Sequence, residues 1–191
     1  MTRRRLLVWR GLEEWLAESA EVQLGESRLM AVGTQLGEEP HPYRLDYQLT
    51  TGDGWVTESL VLEARDSFGE RRLELRREPD GSWTANGEAV AGVDGALDCD
   101  LAFSPLTNAM PILRERLVDG GDPKEYLMAW VSVPELVVTP SPQRYEPIDT
   151  GRVRFVSLDS DFRADLELDE DGLVVRYPRL AERLEVYPRQ P

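Results

Sequence analysis

The residue types that most often carry reaction chemistry are scarce in this chain. His41, the only histidine, lies between Pro40 and Pro42 just after Glu38-Glu39, which is loop composition, and no Gly-x-Ser-x-Gly elbow supplies a serine for a triad. Cys99, the only cysteine, stands between Asp98 and Asp100; flanking carboxylates disfavour a thiolate, so a buried structural thiol is expected. A lone cysteine forms no intramolecular disulfide and no cysteine-based zinc cluster within one chain. The acidic run Asp165, Glu167, Asp169, Glu170, Asp171 ending at Gly172 lacks the sixth-position glycine and the spaced bidentate glutamate of a calcium loop, and Leu166 and Leu168 make it a strand entering a hairpin. Phosphate-cradling glycine loops and dinucleotide fingerprints are absent. Carboxylates remain, with 36 acidic residues, and a pair about 5–9 Å apart suffices for glycoside hydrolysis. No local motif nominates the acid or the base. The residues therefore nominate no catalytic group, no metal site and no cofactor.

Binding chemistry has more to draw on. Trp9, Trp15, Trp55, Trp83 and Trp130, with Tyr126, Tyr145 and Tyr177, are spread along the chain, each with an apolar body and a polar tip that suits core filling or contact with sugar or lipid. Arg114 and Arg116 stand at strand spacing and would share a face, ready for an anionic head group or for an internal partner such as Asp98 or Asp100. Asn108 sits among Leu106, Ala109 and Met110, where its amide competes with a helix for backbone hydrogen bonds. If enclosed, it must be partnered, either by protein as a clamp or by the polar head of a ligand.

The elements that must position these residues are mostly strands. Tyr43, Leu45, Tyr47 and Leu49 alternate with Arg44, Asp46 and Gln48. Leu73 and Leu75 alternate with Arg72, Glu74 and Arg76, and Phe162, Ala164, Leu166 and Leu168 with Arg163, Asp165 and Glu167. Each pattern buries one face of a strand in an antiparallel sheet. Asp53-Gly54, Asp80-Gly81, Asn86-Gly87, Gly120-Gly121 and Asp171-Gly172 supply the turns. Strands are predicted near 5–10, 19–24, 27–35, 42–50, 55–65, 70–78, 82–85, 88–91, 97–101, 112–118, 124–133, 136–146, 152–158, 162–168, 173–177 and 180–187. About fifteen strands exceed what a twisted open sheet usually carries without curling or splitting. Gly11 to Glu18 reads as a helical turn or two. Ser104-Pro105 reads as a helix start, and Pro111 as its stop. The expected fold is mainly β, with about fifteen mostly antiparallel strands rolled around a single short α-helix inside 104–113, in one domain spanning 1–191.

Charge and hydropathy narrow the partners. With 22 basic against 36 acidic residues the net charge is −14, which repels phosphate backbones, so no nucleic-acid partner is expected. The apolar run Leu6-Leu7-Val8-Trp9 ends at Arg10. It is shorter than the roughly 7–15 residues of a signal peptide or the about 20 of a membrane helix. A cytoplasmic protein without stable membrane insertion is expected.

Three groups of residues resemble a known family: Asp98-x-Asp100-Leu101; Ser104-Pro105-x-Thr107-Asn108-x-x-Pro111-Ile112-x-Arg114; and Gln143-x-Tyr145. Weaker echoes are Trp83 after Asp80-Gly81, Trp130-Val131-x-Val133-Pro134, and Asp171-Gly172-x-Val174-x-x-Tyr177-Pro178. Together they resemble the glycolipid-binding family with the spiral β-roll fold. The resemblance implies a sheet rolled around one helix, a homodimer, and non-catalytic binding of an amphipathic ligand such as a glycolipid. On these residues Asp100, Thr107, Asn108, Arg114, Trp130 and Tyr145 are the candidate ligand contacts. Two other readings stand beside it: a homodimeric interaction protein without a small ligand, and a carboxylate-based glycoside hydrolase.

Overall fold

The structure, a computed structural model, describes residues 2–185. The strands are β1 (Arg3–Gly11), β2 (Leu16–Leu24), β3 (Leu29–Gly37), β4 (Tyr43–Thr51), β5 (Thr57–Asp66), β6 (Gly69–Arg77), β7 (Trp83–Ala85), β8 (Glu88–Ala89), β9 (Asp98–Leu101), β10 (Lys124–Val131), β11 (Val138–Asp149), β12 (Arg152–Ser157), β13 (Arg163–Leu168), β14 (Val174–Tyr177) and β15 (Ala181–Arg183). One helical passage, a 3-10 turn over Leu106–Asn108 running into α1 (Ala109–Arg114), separates β9 from β10.

All fifteen strands form one sheet in the order β8-β7-β6-β5-β4-β3-β2-β1-β15-β14-β13-β12-β11-β10-β9. Two meanders thus meet where β1 pairs with β15. The seam is reinforced where Arg3 and Arg5 of β1 ion-pair with Asp171 in the turn before β14. Among the described residues, β9–β10 is the one parallel strand pair. A parallel pair cannot be closed by a hairpin and needs a crossover, usually a helix, and α1 lies in that crossover. The ends of the sheet are drawn together by residues 90–97: the Trp83 indole donates to the Ala96 carbonyl at 3.0 Å, and the Thr57 amide to Leu97 at 3.0 Å.

The helical passage is wrapped by the sheet. Every residue from Ser104 to Ile112 is buried. Leu106, Ala109 and Met110 pack into a core with β1–β7, while Ile112 joins a second core with Tyr145, Phe155, Leu166 and Tyr177. The predicted alternations follow the same inside–outside pattern: Tyr43, Leu45, Tyr47 and Leu49 all face in.

Three expectations are corrected. Pro111 does not stop the helix; it stands in the first turn of α1, where a backbone N–H has no intrahelical acceptor to lose. The chain turns instead at Arg116, whose left-handed φ of 55° follows the last helical residues. Residues 112–118 are accordingly helix and turn, not strand, and Arg114 and Arg116 do not share a strand face. The span from Gly11 is a bend, after which β2 begins at Leu16, three residues before the expected start. The predicted strand 180–187 is seen as Ala181–Arg183, and residues 186 and 187 lie outside the described residues.

Strand β2 turns a carboxylate inward. Glu18 is 1% exposed; its Oε1 accepts from the Tyr47 hydroxyl at 2.6 Å and the Ser104 hydroxyl at 2.7 Å. Beside it, Tyr43 donates to Gln35 Oε1 at 2.7 Å, and Gln35 donates to the Ala102 carbonyl at 3.2 Å. Both tyrosines lie across glycines of β3. A Cβ on Gly33 would collide with the Tyr47 ring, and one on Gly37 would come within 2.5 Å of the Tyr43 hydroxyl. Burial outweighs the donors and raises Glu18 from 4.5 to about 7. Because the folded group holds its proton more tightly than the unfolded one, its contribution is complete below about pH 4.5 and is lost as pH rises through 7, a swing of about 3 kcal/mol. Glu18→Gln should therefore flatten the fall in melting temperature between pH 5 and pH 8. An unchanged pH profile in the variant would remove Glu18 from this role.

Candidate functional site

A cleft of about 460 Å³ opens beside the start of the helical passage. Its polar side is made of Asp100 from β9, Ser104 and Asn108 from the passage, and Ser141 and Gln143 from β11. Its apolar side is made of Phe103, Trp130, Phe155, Phe162 and Tyr177. Strand pairing explains part of this convergence. Asp100 is the parallel partner of Trp130, and Gln143 pairs with Ser157, another lining residue. Phe103 holds a left-handed φ of 63°, an uncommon conformation for a bulky residue that costs on the order of 1–3 kcal/mol. It keeps a partly exposed ring at the cleft.

The polar side is prebuilt. Gln143 Nε2 donates to Asp100 Oδ2 at 2.7 Å, and the Thr107 hydroxyl donates to Asp100 Oδ1 at 2.8 Å while accepting the Leu101 amide at 3.3 Å. The Tyr145 hydroxyl donates to Asn108 Oδ1 at 3.0 Å, with the Gln143 Oε1 acceptor 3.3 Å away. Asn108 Nδ2 in turn donates to the Pro105 carbonyl at 3.3 Å. Ser104 Oγ accepts the Leu106 amide at 3.3 Å, the role expected of it at a helix start. Burial raises the Asp100 carboxyl above the ordinary range, against the pull of Gln143 and Thr107 and with a further push from Asp98. Burial likewise raises Tyr145 well above the usual phenol. Neutral Tyr145 is thus a donor, as its bond to Asn108 requires.

Four of the six candidate contacts, Asp100, Thr107, Asn108 and Tyr145, join in this one network, and Trp130 stands on the apolar wall. Of these five, Asp100, Asn108 and Trp130 line the cleft, while Thr107 and Tyr145 brace it from behind. Arg114 is elsewhere: its guanidinium donates to Asp98 Oδ1 at 3.0 Å and stacks over Tyr126 at 5.5 Å. Arg116 is exposed and pairs with Asp119.

The other reactive types are held in structural settings. Burial pushes the Cys99 thiol up to about 12, more than the neighbouring Asp98 and Asp100 do, and Thr57 lies against it. His41 is 2.9 Å from Asp66 and edge-on to Phe68. Asp169 Oδ1 accepts the amides of Asp171 and Leu173 at 3.0 Å, which shapes the turn. No group of three or more His, Cys, Asp or Glu able to hold a metal occurs among the described residues. No helix among them is long and apolar enough to cross a membrane.

Sequence reasoning passed over Glu18, Gln35 and, Trp130 apart, the aromatic wall, and it quoted Gln143 without nominating it. The inward phase of Leu16, Glu18 and Ala20 was the available signal for Glu18. No local signal joins Phe103 to Phe155, Phe162 and Tyr177, which lie more than fifty residues later.

A rolled sheet enclosing a helix and carrying a half-aromatic, half-polar cleft defines a β-roll protein built on a binding-site plan. The family model described as "Putative glycolipid-binding" matches residues 6–183, and the chain belongs to that family. The crystal structure of a DUF1089 family protein from Pseudomonas aeruginosa is similar over 92% of this chain and 95% of that one, with 33% identity and a TM-score of 0.76. No curated protein matches the chain.

Asn108 offers a direct check on the network. Asn108→Ala removes the nearer acceptor of a buried tyrosine hydroxyl, and the expected loss is about 1–3 kcal/mol of stability, read by denaturant unfolding without any ligand. Unfolding identical to the parent would mean that Asn108 does not clamp the helix to β11.

Proposed function

We propose that this protein binds an amphipathic ligand in the cleft without transforming it, and that the ligand is a glycolipid. The observation that carries this reading is the division of one cleft into an aromatic wall and a polar side whose groups are already held by protein partners. Preorganised polar groups give orientation at little ordering cost, while apolar burial contributes about 25 cal/mol per Å². A volume near 460 Å³ falls within the usual range of small-molecule sites, about 300–1,000 Å³. The family's description points the same way.

The carboxylates favour binding over hydrolysis. Both oxygens of Asp100 accept hydrogen bonds from protein donors, and Glu13, the other acidic lining residue, is paired with Arg179 at 3.3 Å. Each carboxylate is thus tied to its own protein partners, Asp100 to Thr107 and Gln143 and Glu13 to Arg179. The homodimer reading draws on Met30, Val32 and Leu36, exposed along the outward face of β3, but assembly alone leaves the built polar side of the cleft without a use.

Delipidated protein should take up one molecule of dodecyl maltoside in native mass spectrometry. Trp130→Ala should weaken that binding about tenfold, as loss of a stacked aromatic worth about 1 kcal/mol plus its buried area implies. Failure to retain any amphiphile would overturn the reading.

A further inference from the structure

We infer that the cleft selects an uncharged, polyhydroxylated head group and rejects anionic ones. The inference rests on the binding reading above and adds the class of head that the site takes.

The charges around the cleft are the first ground. Its lining holds two carboxylates, Asp100 and Glu13, against one guanidinium, Arg179. That guanidinium is committed: it donates to both oxygens of Glu13 at 3.3 Å and sits 5.9 Å over the Phe162 ring. Its side chain is 67% exposed, so it stands at the rim rather than over the polar side. Arg114, the last residue of the same helical passage, is turned away to Asp98. A phosphate, sulfate or carboxylate head reaching the polar side would therefore meet Asp100 with no cation to offset it. An anion stripped of water there finds no counter-charge to offset its burial.

The hydrogen-bond inventory is the second ground. Among the described residues Asp100 receives two protein hydrogen bonds on two oxygens that together offer about four lone-pair positions, and it keeps part of its surface open to the cleft. It can accept from a ligand hydroxyl. Asn108 uses one amide hydrogen on Pro105 and retains a second. The Ser141 hydroxyl accepts from Gln143 at 3.3 Å and keeps its own proton to donate. Acceptors and donors are interleaved, and a polyol, which gives and takes at each hydroxyl, satisfies both kinds. A fully ionised phosphate can only accept. A quaternary ammonium would suit Asp100 and the rings, but it has no hydrogen bond to offer or receive at Asn108 and Ser141. Above this side, Trp130, Phe155 and Tyr177 present ring surface to the apolar face of a sugar.

Three probes with one tail and different heads test the inference: dodecyl maltoside, dodecyl phosphate and dodecyltrimethylammonium, each titrated below its micellar concentration at neutral pH and moderate salt. The expected order has the maltoside at least tenfold tighter than either charged probe. Asp100→Asn should bring the phosphate to within about threefold of the maltoside. Glu13→Gln, an exposed change that does not threaten folding, should free Arg179 and strengthen phosphate binding more than maltoside binding. Equal or tighter binding of the phosphate by the parent protein overturns the head-group inference and leaves the binding reading standing. Tightest binding of the ammonium probe overturns it in favour of a cation site. If no probe binds, the binding reading fails and the inference falls with it.

Discussion

Nine consecutive residues, Ser104 to Ile112, have no face on water, and the rest of the molecule is arranged around that constraint. A helical passage inside a sheet must place its polar side chains against protein partners or lose about 1–3 kcal/mol at each. Ser104 reaches Glu18 of β2, Thr107 reaches Asp100 of β9, and Asn108 meets Tyr145 of β11. The first of these strands belongs to one meander and the other two to its opposite. Satisfying the helix therefore ties the halves of the roll together. The tie has a cost: Glu18 is buried without a cation, and its proton affinity rises to near neutrality. Gly33 and Gly37 make it sterically feasible, since only a strand without Cβ atoms at those positions lets the two tyrosine rings lie flat enough to reach β2 and Gln35.

The cleft is a by-product of the same arrangement. The groups that satisfy the helix on the β9–β11 side are also the polar side of the cavity, so stability and recognition share Asp100, Asn108 and Gln143. Sharing has a mechanical consequence. A ligand does not have to order these groups, because Tyr145 and Thr107 already hold them, and binding energy is not spent on their rotamers. The aromatic wall comes from five different strands or turns, and only the curvature of the sheet brings it over the helix start.

Much of this was legible in the chain, for local reasons. Period-two alternation at Tyr43–Leu49 or Leu73–Leu75 reports a sheet with one wet face, and about fifteen predicted strands without a repeat imply a closed or rolled sheet. Ser104-Pro105 announces the helix because its capping chemistry is local. The failures were also physical. Pro111 suggested a stop because proline breaks helix interiors, yet in a first turn it removes nothing. Arg114 and Arg116 imitated strand alternation across a helix end. Leu16 and Glu18 were assigned to a helical turn because Leu12, Trp15 and Leu16 stand at helical spacing, while the inward-facing Glu18 hides the alternation of Leu16 and Ala20. Partners such as Glu18 with Ser104, or Gln143 with Asp100, are set by strand register and by the path of the roll, which no local pattern encodes.

The central claim is that the helix-satisfying network and the ligand-binding surface are one structure. The most direct measurement is a titration with dodecyl maltoside followed by the side-chain amide resonances of Asn108 and Gln143 and the indole resonance of Trp130. The account predicts that these three move together on one binding isotherm, while the Arg114 guanidinium signals, held by Asp98, stay in place. Saturation of the ligand with Asn108, Gln143 and Trp130 unmoved, or perturbations confined to the outward face of β3, would contradict it.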